Sequence, residues 1–111
     1  MPITKLFASM NVADLEVAVP WYTALFAGEP DARPMEGLVE WHLDDRFGVQ
    51  VFQDAENAGH STVVLDDTDL DDRLALLAEA GIENDGIRQA TSSRILPVVD
   101  LDGNRIVFTG Q

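Results

Sequence analysis

Val12-Ala13-Asp14-Leu15 opens an amphipathic run that closes at Ala27-Gly28, and Asp67-Thr68-Asp69-Leu70 opens another that closes at Ala80-Gly81. Each run follows a strand-like segment and precedes two or three more. Residues 12–28 and 65–81 therefore form a half-length internal repeat, and a repeat of that kind decides the fold of a small chain. It implies two copies of a strand–helix–strands unit.

Outward from the first run, Ile3 to Val12 alternates. Leu6, Ala8, Met10 and Val12 share one face, and Lys5, Phe7, Ser9 and Asn11 share the other. The first set should pack on a helix and the second should look away from it. Asp14 is placed to cap the helix, and Leu15, Ala18, Val19, Tyr22, Leu25 and Phe26 recur along one stripe. Pro20 removes a backbone bond and clashes with the preceding turn, which predicts a kinked or tight first turn in a helix that survives. Gly28 is the expected C′ glycine, and Pro30 and Pro34 prevent the helix from resuming.

Val39 to Leu43 and Phe47 to Phe52 read as strands joined by a hairpin across Asp44-Asp45-Arg46. Residues 53–59 connect the two halves. His60 to Leu65 is a strand, and Leu70, Leu74, Leu77, Ala78 and Ile82 mark the second helical stripe, capped by Asp69 or Thr68 and ended by Gly81. Gln89 to Arg94, Ile95 to Val99 and Arg105 to Thr109 are further strands, with Asp102-Gly103-Asn104 turning before the last. The expected architecture is α+β: one domain over 1–111 built from two βαβββ modules, about 1–55 and 59–111, with cupped mixed sheets. Each module alone leaves a sheet face bare, so the bare faces are expected to oppose each other around a cleft.

Composition narrows the function. The chain's 111 residues suffice for one real core. The absence of cysteine removes disulfides, thiolate metal sites and a cysteine nucleophile. Met-Pro-Ile-Thr-Lys does not resemble a signal peptide, and no apolar stretch reaches membrane-spanning length, so a cytoplasmic location is expected. Seven Lys and Arg against twenty Asp and Glu give a net charge of −13, which argues against nucleic-acid backbones and is compatible with a cationic ligand. The same acids fall mostly in turns and helix starts, where they also serve as solvated surface.

By strand parity, Phe7, Ser9, Asn11, Trp41, Gln50, Phe52, His60, Thr62, Arg105, Val107 and Thr109 line the cleft. Trp41 enters it if Leu43 pairs with Gly48, which leaves His42 on the helix side; a one-residue slip reverses both. Aromatic, apolar and neutral polar groups in this mixture suit an organic ligand better than a metal, although the same aromatics would also serve as core. Thr91-Ser92-Ser93 has no base to make a nucleophile of a serine. No phosphate-cradling glycine loop is present.

Three segments carry a resemblance. Val12-Ala13-Asp14-Leu15 with Pro20-Trp21-Tyr22-Thr23-Ala24-Leu25-Phe26-Ala27-Gly28 resembles the opening of the vicinal oxygen chelate superfamily, which includes glyoxalase I, bleomycin-resistance proteins and extradiol dioxygenases. Val99-Asp100-Leu101-Asp102-Gly103-Asn104-Arg105-Ile106 is similar to its closing turn, with Leu101 where proline is usual, and Gly59-His60 through Ile82 resembles the start of its second module. In metal-dependent members four inward side chains hold a divalent cation that polarises substrate oxygens. Carried over, those positions fall on Phe7, Gln50, His60 and Val107, and one good ligand with one weak one cannot hold a catalytic cation.

The resemblance thus implies metal-independent binding of a small organic molecule, as in the bleomycin-resistance branch. No cofactor and no catalytic residue are assigned, and Phe7, Ser9, Trp41, Gln50, Phe52, His60 and Val107 are the ligand-binding candidates. The competing reading is a glyoxalase- or dioxygenase-type enzyme with His60 and Gln50 as residual ligands. Short two-module members commonly pair modules from both chains, which implies a homodimer.

Overall fold

Alternation in the first strand sorts its side chains as the pattern requires: Met10 and Val12 are fully buried, while Phe7, Ser9 and Asn11 lie on the opposite face. The computed structural model describes residues 2–111. Its elements are β1 (Leu6–Val12), α1 (Leu15–Phe26), β2 (Ala32–Met35), β3 (Leu38–His42), β4 (Phe47–Gln53), a 3-10 turn at Ala55–Asn57, β5 (Thr62–Asp66), α2 (Leu70–Glu79), β6 (Arg88–Gln89), β7 (Arg94–Val99) and β8 (Arg105–Gly110). They form two four-stranded sheets, ordered β1-β4-β3-β2 and β5-β8-β7-β6. In each, the first strand runs parallel to the last, and the remaining pairs are antiparallel. This is the βαβββ arrangement twice over.

Each helix covers one face of its sheet. Ala18, Tyr22 and Leu25 of α1 are buried with Met10, Val12, Val39, Trp41, Val49 and Val51, and Leu70 and Leu77 of α2 with Leu96, Val98, Ile106 and Phe108. Asp14 caps α1 by accepting from the Glu16 N–H at 3.0 Å, and Asp69 caps α2 by accepting from the Asp72 N–H at 3.0 Å. Pro20 does not interrupt α1. Both Pro20 and Glu16, whose carbonyl loses its helical partner, face solvent, so water can satisfy that carbonyl.

Three local expectations change. The residue that ends α1 in the left-handed region is Ala27, at φ 55° and ψ 38°, and not Gly28; its own N–H and that of Gly28 both return to the Thr23 carbonyl. Ala32–Met35 is a strand that alternation did not reveal, because Pro34 sits in it; the outer edge of a sheet tolerates a residue that cannot donate. The segment expected as a strand over Gln89 to Arg94 shrinks to Arg88–Gln89, with Thr91, Ser92 and Ser93 in the hairpin before β7.

A buried polar cluster joins the two halves. Asp100 and Asn104 are 6% and 0% exposed. The Asp100 carboxylate accepts from the Tyr22 hydroxyl at 2.6 Å, from the backbone N–H groups of Asp102 and Asn104 at 2.9 and 2.8 Å, and from Asn104 Nδ2 at 2.8 Å. Asn104 Nδ2 also donates to the Asn11 carbonyl at 2.7 Å, and Asn104 Oδ1 accepts from the Ser61 N–H at 2.9 Å. One side chain thereby ties the end of β1 to the start of β5. Burial, and then the Asp100 carboxylate that its proton bonds, push the Tyr22 phenol far above its usual range, so it stays a donor. Gly59 permits the close approach: its φ is +86°, and a Cβ there would collide with the Asp102 carbonyl oxygen.

Tyr22→Phe should lower unfolding stability by about 2 kcal/mol, the scale of a buried hydrogen bond to a charged acceptor, measured by urea denaturation. Ala27→Gly should raise it by about 0.5–1 kcal/mol, because relief of left-handed strain exceeds the added chain entropy. A loss of stability in that variant would contradict the assignment of the helix end.

Candidate functional site

The face of the first sheet turned away from α1 is a grid of three rows set by register. Phe7, Gly48 and His42 form the first row; Ser9, Gln50 and Glu40 the second; Asn11, Phe52 and Leu38 the third. Gly48 has no side chain, and the Phe7 ring lies over it: a Cβ there would come within 2.9 Å of Phe7 Cε1. The Phe7 and His42 ring centroids are 5.6 Å apart. His42 Nε2 and Glu40 Oε1 are 2.9 Å apart, and Asp31 anchors the strand by accepting from the His42 N–H at 2.7 Å.

This register overturns the expected place of Trp41. His42, not Leu43, pairs with Gly48, and Trp41 pairs with Val49. The one-residue slip sends Trp41 beneath α1, where it is 2% exposed, lies 5.8 Å from both the Tyr22 and Phe26 rings, and donates from Nε1 to the Gly28 carbonyl at 2.8 Å. A half-buried strand puts its most hydrophobic residues under the helix, and Val39-Glu40-Trp41 satisfies that only in this register. Trp41 leaves the site, and Glu40 and His42 take the open face. Parity missed Glu40; the alternation of Val39 and Trp41 around it was the available signal.

The second sheet repeats the plan with different chemistry. Thr62, Arg105 and Val99 share a row, then Val64, Val107 and Pro97, then Asp66, Thr109 and Ile95. Val107 is 9% exposed, whereas Val64 and Val99 are 62% and 56% exposed. Aligning Leu15 with Leu70 places Phe7 over Thr62. His60 therefore lies outside β5, in an exposed connection, and does not occupy the position equivalent to Phe7.

The metal positions of the resemblance thus resolve to two hydrocarbons, Phe7 and Val107, with Gln50 and either Thr62 or an outlying His60. Among the described residues no group of three or more His, Asp or Glu side chains is arranged to hold a metal ion. This donor set does not fit a divalent cation, which needs about three protein ligands.

Cavities adjoin these surfaces. One of about 640 Å³ lies in the seam between the two units, where Leu6, Ala8 and Phe26 meet Val63, Leu65 and Phe108. None of the seven ligand-binding candidates lines it. A cavity of about 310 Å³ opens on the first sheet beside Phe7 and His42, and one of about 610 Å³ on the second beside Pro97, Val99 and Arg105. The structure therefore gathers Phe7, Ser9, Gln50 and Phe52 on one open face and sets Val107 on the other. It does not merge the two faces into a single cavity.

At the lip of the seam, partial burial works to raise the Asp67 carboxyl. The N–H of Asp69 and the Arg73 guanidinium, 2.8 Å away, outweigh it and hold the group below the usual carboxylate range. The same guanidinium sits 5.0 Å over the Phe108 ring.

Two βαβββ modules with one open face each define a protein of the vicinal oxygen chelate type. The chain is 31% identical to the glyoxalase / bleomycin resistance protein from Catenulispora acidiphila DSM 44928, over 96% of this chain and 97% of that one at a TM-score of 0.89, and it belongs to the glyoxalase/bleomycin resistance protein family. TnmS3, an antibiotic binding protein from Streptomyces sp. CB03234, shares the fold at a TM-score of 0.81 with 22% identity, over 99% of this chain and 98% of that one. So does a bleomycin-binding protein complexed with bleomycin, at 0.76 and 16%, over 96% and 98%. No protein-family model matches the chain, and no curated protein sequence matches it.

Because the folded pKa of Asp67 lies below its unfolded value, the ion pair's contribution is complete above about pH 4 and is lost as pH falls through the folded value. Arg73→Met should therefore remove part of the loss of stability on acidification, measured by urea midpoints between about pH 7 and pH 3. An unchanged acid limb in the variant would contradict this role for the pair.

Proposed function

We propose that this chain binds a small organic molecule without a metal ion, on the open face of its first sheet. In this reading one domain of two modules forms the binding unit, and two copies pair so that the open face of a partner's second sheet supplies the opposite wall. The observation that carries it is the first-sheet grid: the Phe7 ring laid over Gly48, Phe52 two rows further along the sheet, and neutral Ser9 and Gln50 in the row between them. Apolar faces orient a ligand by packing, and a few polar groups select it.

Val107, flanked by Val64 and Pro97, suits the opposite wall. His60 lies in the exposed connection before β5 and is given no role in this reading. The net charge of −13 and the Glu40 carboxylate favour a neutral or cationic ligand over an anion.

Pairing is supported by what the single chain leaves exposed. Leu6, Phe47 and Val64 are 71%, 45% and 62% exposed, and β1 and β5 each end a sheet with an unpaired edge. No helix among the described residues is long and apolar enough to cross a membrane. The cysteine-free composition fits the cytoplasm.

The test is a fragment screen by NMR on protein stripped with EDTA. Fused aromatic compounds should shift the amides of β1, β3 and β4 with no metal added. Phe7→Ala should weaken them about tenfold or more, as the loss of an aromatic wall does, whereas Trp41→Phe should leave them unchanged. Binding that needs added Ni²⁺ or Zn²⁺ and disappears in His60→Ala would replace this reading with a metal-dependent enzyme. Light scattering should give about twice the 12.2 kDa chain mass; a stable monomer would remove the partner wall.

A further inference from the structure

The middle row of the first sheet has a direction. Ser9, Gln50, Glu40 and then Ala32 stand side by side across β1, β4, β3 and β2, at the sheet's spacing of about 4.8 Å per strand. The rows on either side, about 7 Å away along the strands, are dominated by the Phe7 and His42 rings on one flank and by Phe52 and Leu38 on the other. Three hydrogen-bonding side chains thus run between two largely apolar rails.

Their capacities differ. A serine hydroxyl and a glutamine amide can each donate or accept, but an ionised glutamate only accepts. His42 holds Glu40 Oε1 at 2.9 Å, and Glu40 is only 15% exposed. That contact fixes the carboxylate and leaves Oε2 for a visitor. Among the described residues the Ser9 and Gln50 side chains enter no hydrogen bond. The one fixed demand of the row is therefore a donor at its β3 end. Gln50, next in line, can complete the match by donating its amide N–H to an acceptor, and Ala32 closes the row with a methyl group.

We propose that Glu40 and Gln50 determine specificity by reading a donor–acceptor edge on a flat, uncharged ligand: an N–H or O–H given to Glu40, beside a carbonyl that accepts from Gln50. Lactams and related cyclic amides have this edge. Ligands with a carboxylate at that position are rejected by charge, and molecules lacking the donor leave Glu40 Oε2 desolvated and without a partner. The second penalty discriminates strongly among uncharged ligands, because a site built to receive a donor loses more from its absence than an apolar pocket loses from a missing methylene. This inference rests on the proposed binding at the first-sheet face and adds the class of molecule bound there.

Carbostyril, N-methylcarbostyril and naphthalene test it, titrated separately by NMR into the intact protein. They are close in size and flatness, and they carry donor plus acceptor, acceptor alone, and neither. The expected result is that carbostyril binds about tenfold or more tightly than N-methylcarbostyril and shifts the Gln50 side-chain amide. Glu40→Met should abolish that preference, and Glu40→Gln, which keeps an acceptor oxygen, should retain most of it. Equal affinity of the two lactams in the wild type, or a preference that survives Glu40→Met, overturns the inference while leaving face binding intact. If none of the three shifts the amides of β1, β3 or β4, binding at this face fails, and the inference fails with it.

Discussion

The Asp100 carboxylate is the constraint on which the arrangement of the two units depends. It accepts four hydrogen bonds within 2.9 Å, from Tyr22, Asp102 and Asn104, and of these residues Tyr22 and Asn104 are fully buried. A buried charge is tolerable only when its lone pairs are met, so the turn from Asp100 to Asn104 has essentially one acceptable shape. Asn104 carries that shape outward to the Asn11 carbonyl and the Ser61 N–H. The edge strands β1 and β5 are pinned together at this end. At the other end, where no such cluster exists, they part around the seam cavity. The open faces, and any ligand contact they make, inherit their orientation from one turn.

The two modules repeat in backbone but not in this chemistry. Aligning β4 with β8 by register sets Leu43 over Asp100 and Phe47 over Asn104. The first hairpin therefore presents exposed apolar groups where the second buries polar ones. The asymmetry extends to the open faces: Ser9, Gln50 and Glu40 lie along the middle of the first, and Val64, Val107 and Pro97 along the middle of the second. In the proposed pairing, a polar floor and an apolar wall would be complementary halves for one amphipathic ligand, which two identical faces would not be.

Much of this was legible from residue order. The repeat located both helices and the α+β plan, because amphipathic stripes such as Leu15 to Phe26 carry their period on the surface of the sequence. Strand parity sorted Phe7, Ser9, Gln50 and Phe52 correctly onto one face, since alternation within a strand is a local property. Trp41 was misplaced because hairpin register is a relation between two strands, and Asp44-Asp45-Arg46 admits more than one loop length. The β2 strand was hidden by Pro34, whose local preference speaks against a strand except at an edge, and an edge is a tertiary fact. Asp100 and Asn104 read as turn residues; that they are buried, and bonded to Tyr22 and Asn11, depends on contacts no short window contains.

The bond between Tyr22 and Asp100 spans 78 residues. A nascent chain leaves the ribosome from its N-terminus, so α1 emerges well before the acceptor of its buried hydroxyl exists. Until Asp100 has been made, the Tyr22 phenol must either stay in water or be buried without a partner, and the second option costs on the order of 1–3 kcal/mol. The N-terminal half is thereby penalised for closing fully over its sheet before the second half can dock. Folding should be late and concerted rather than module by module, although each unit has a helix and four strands of its own.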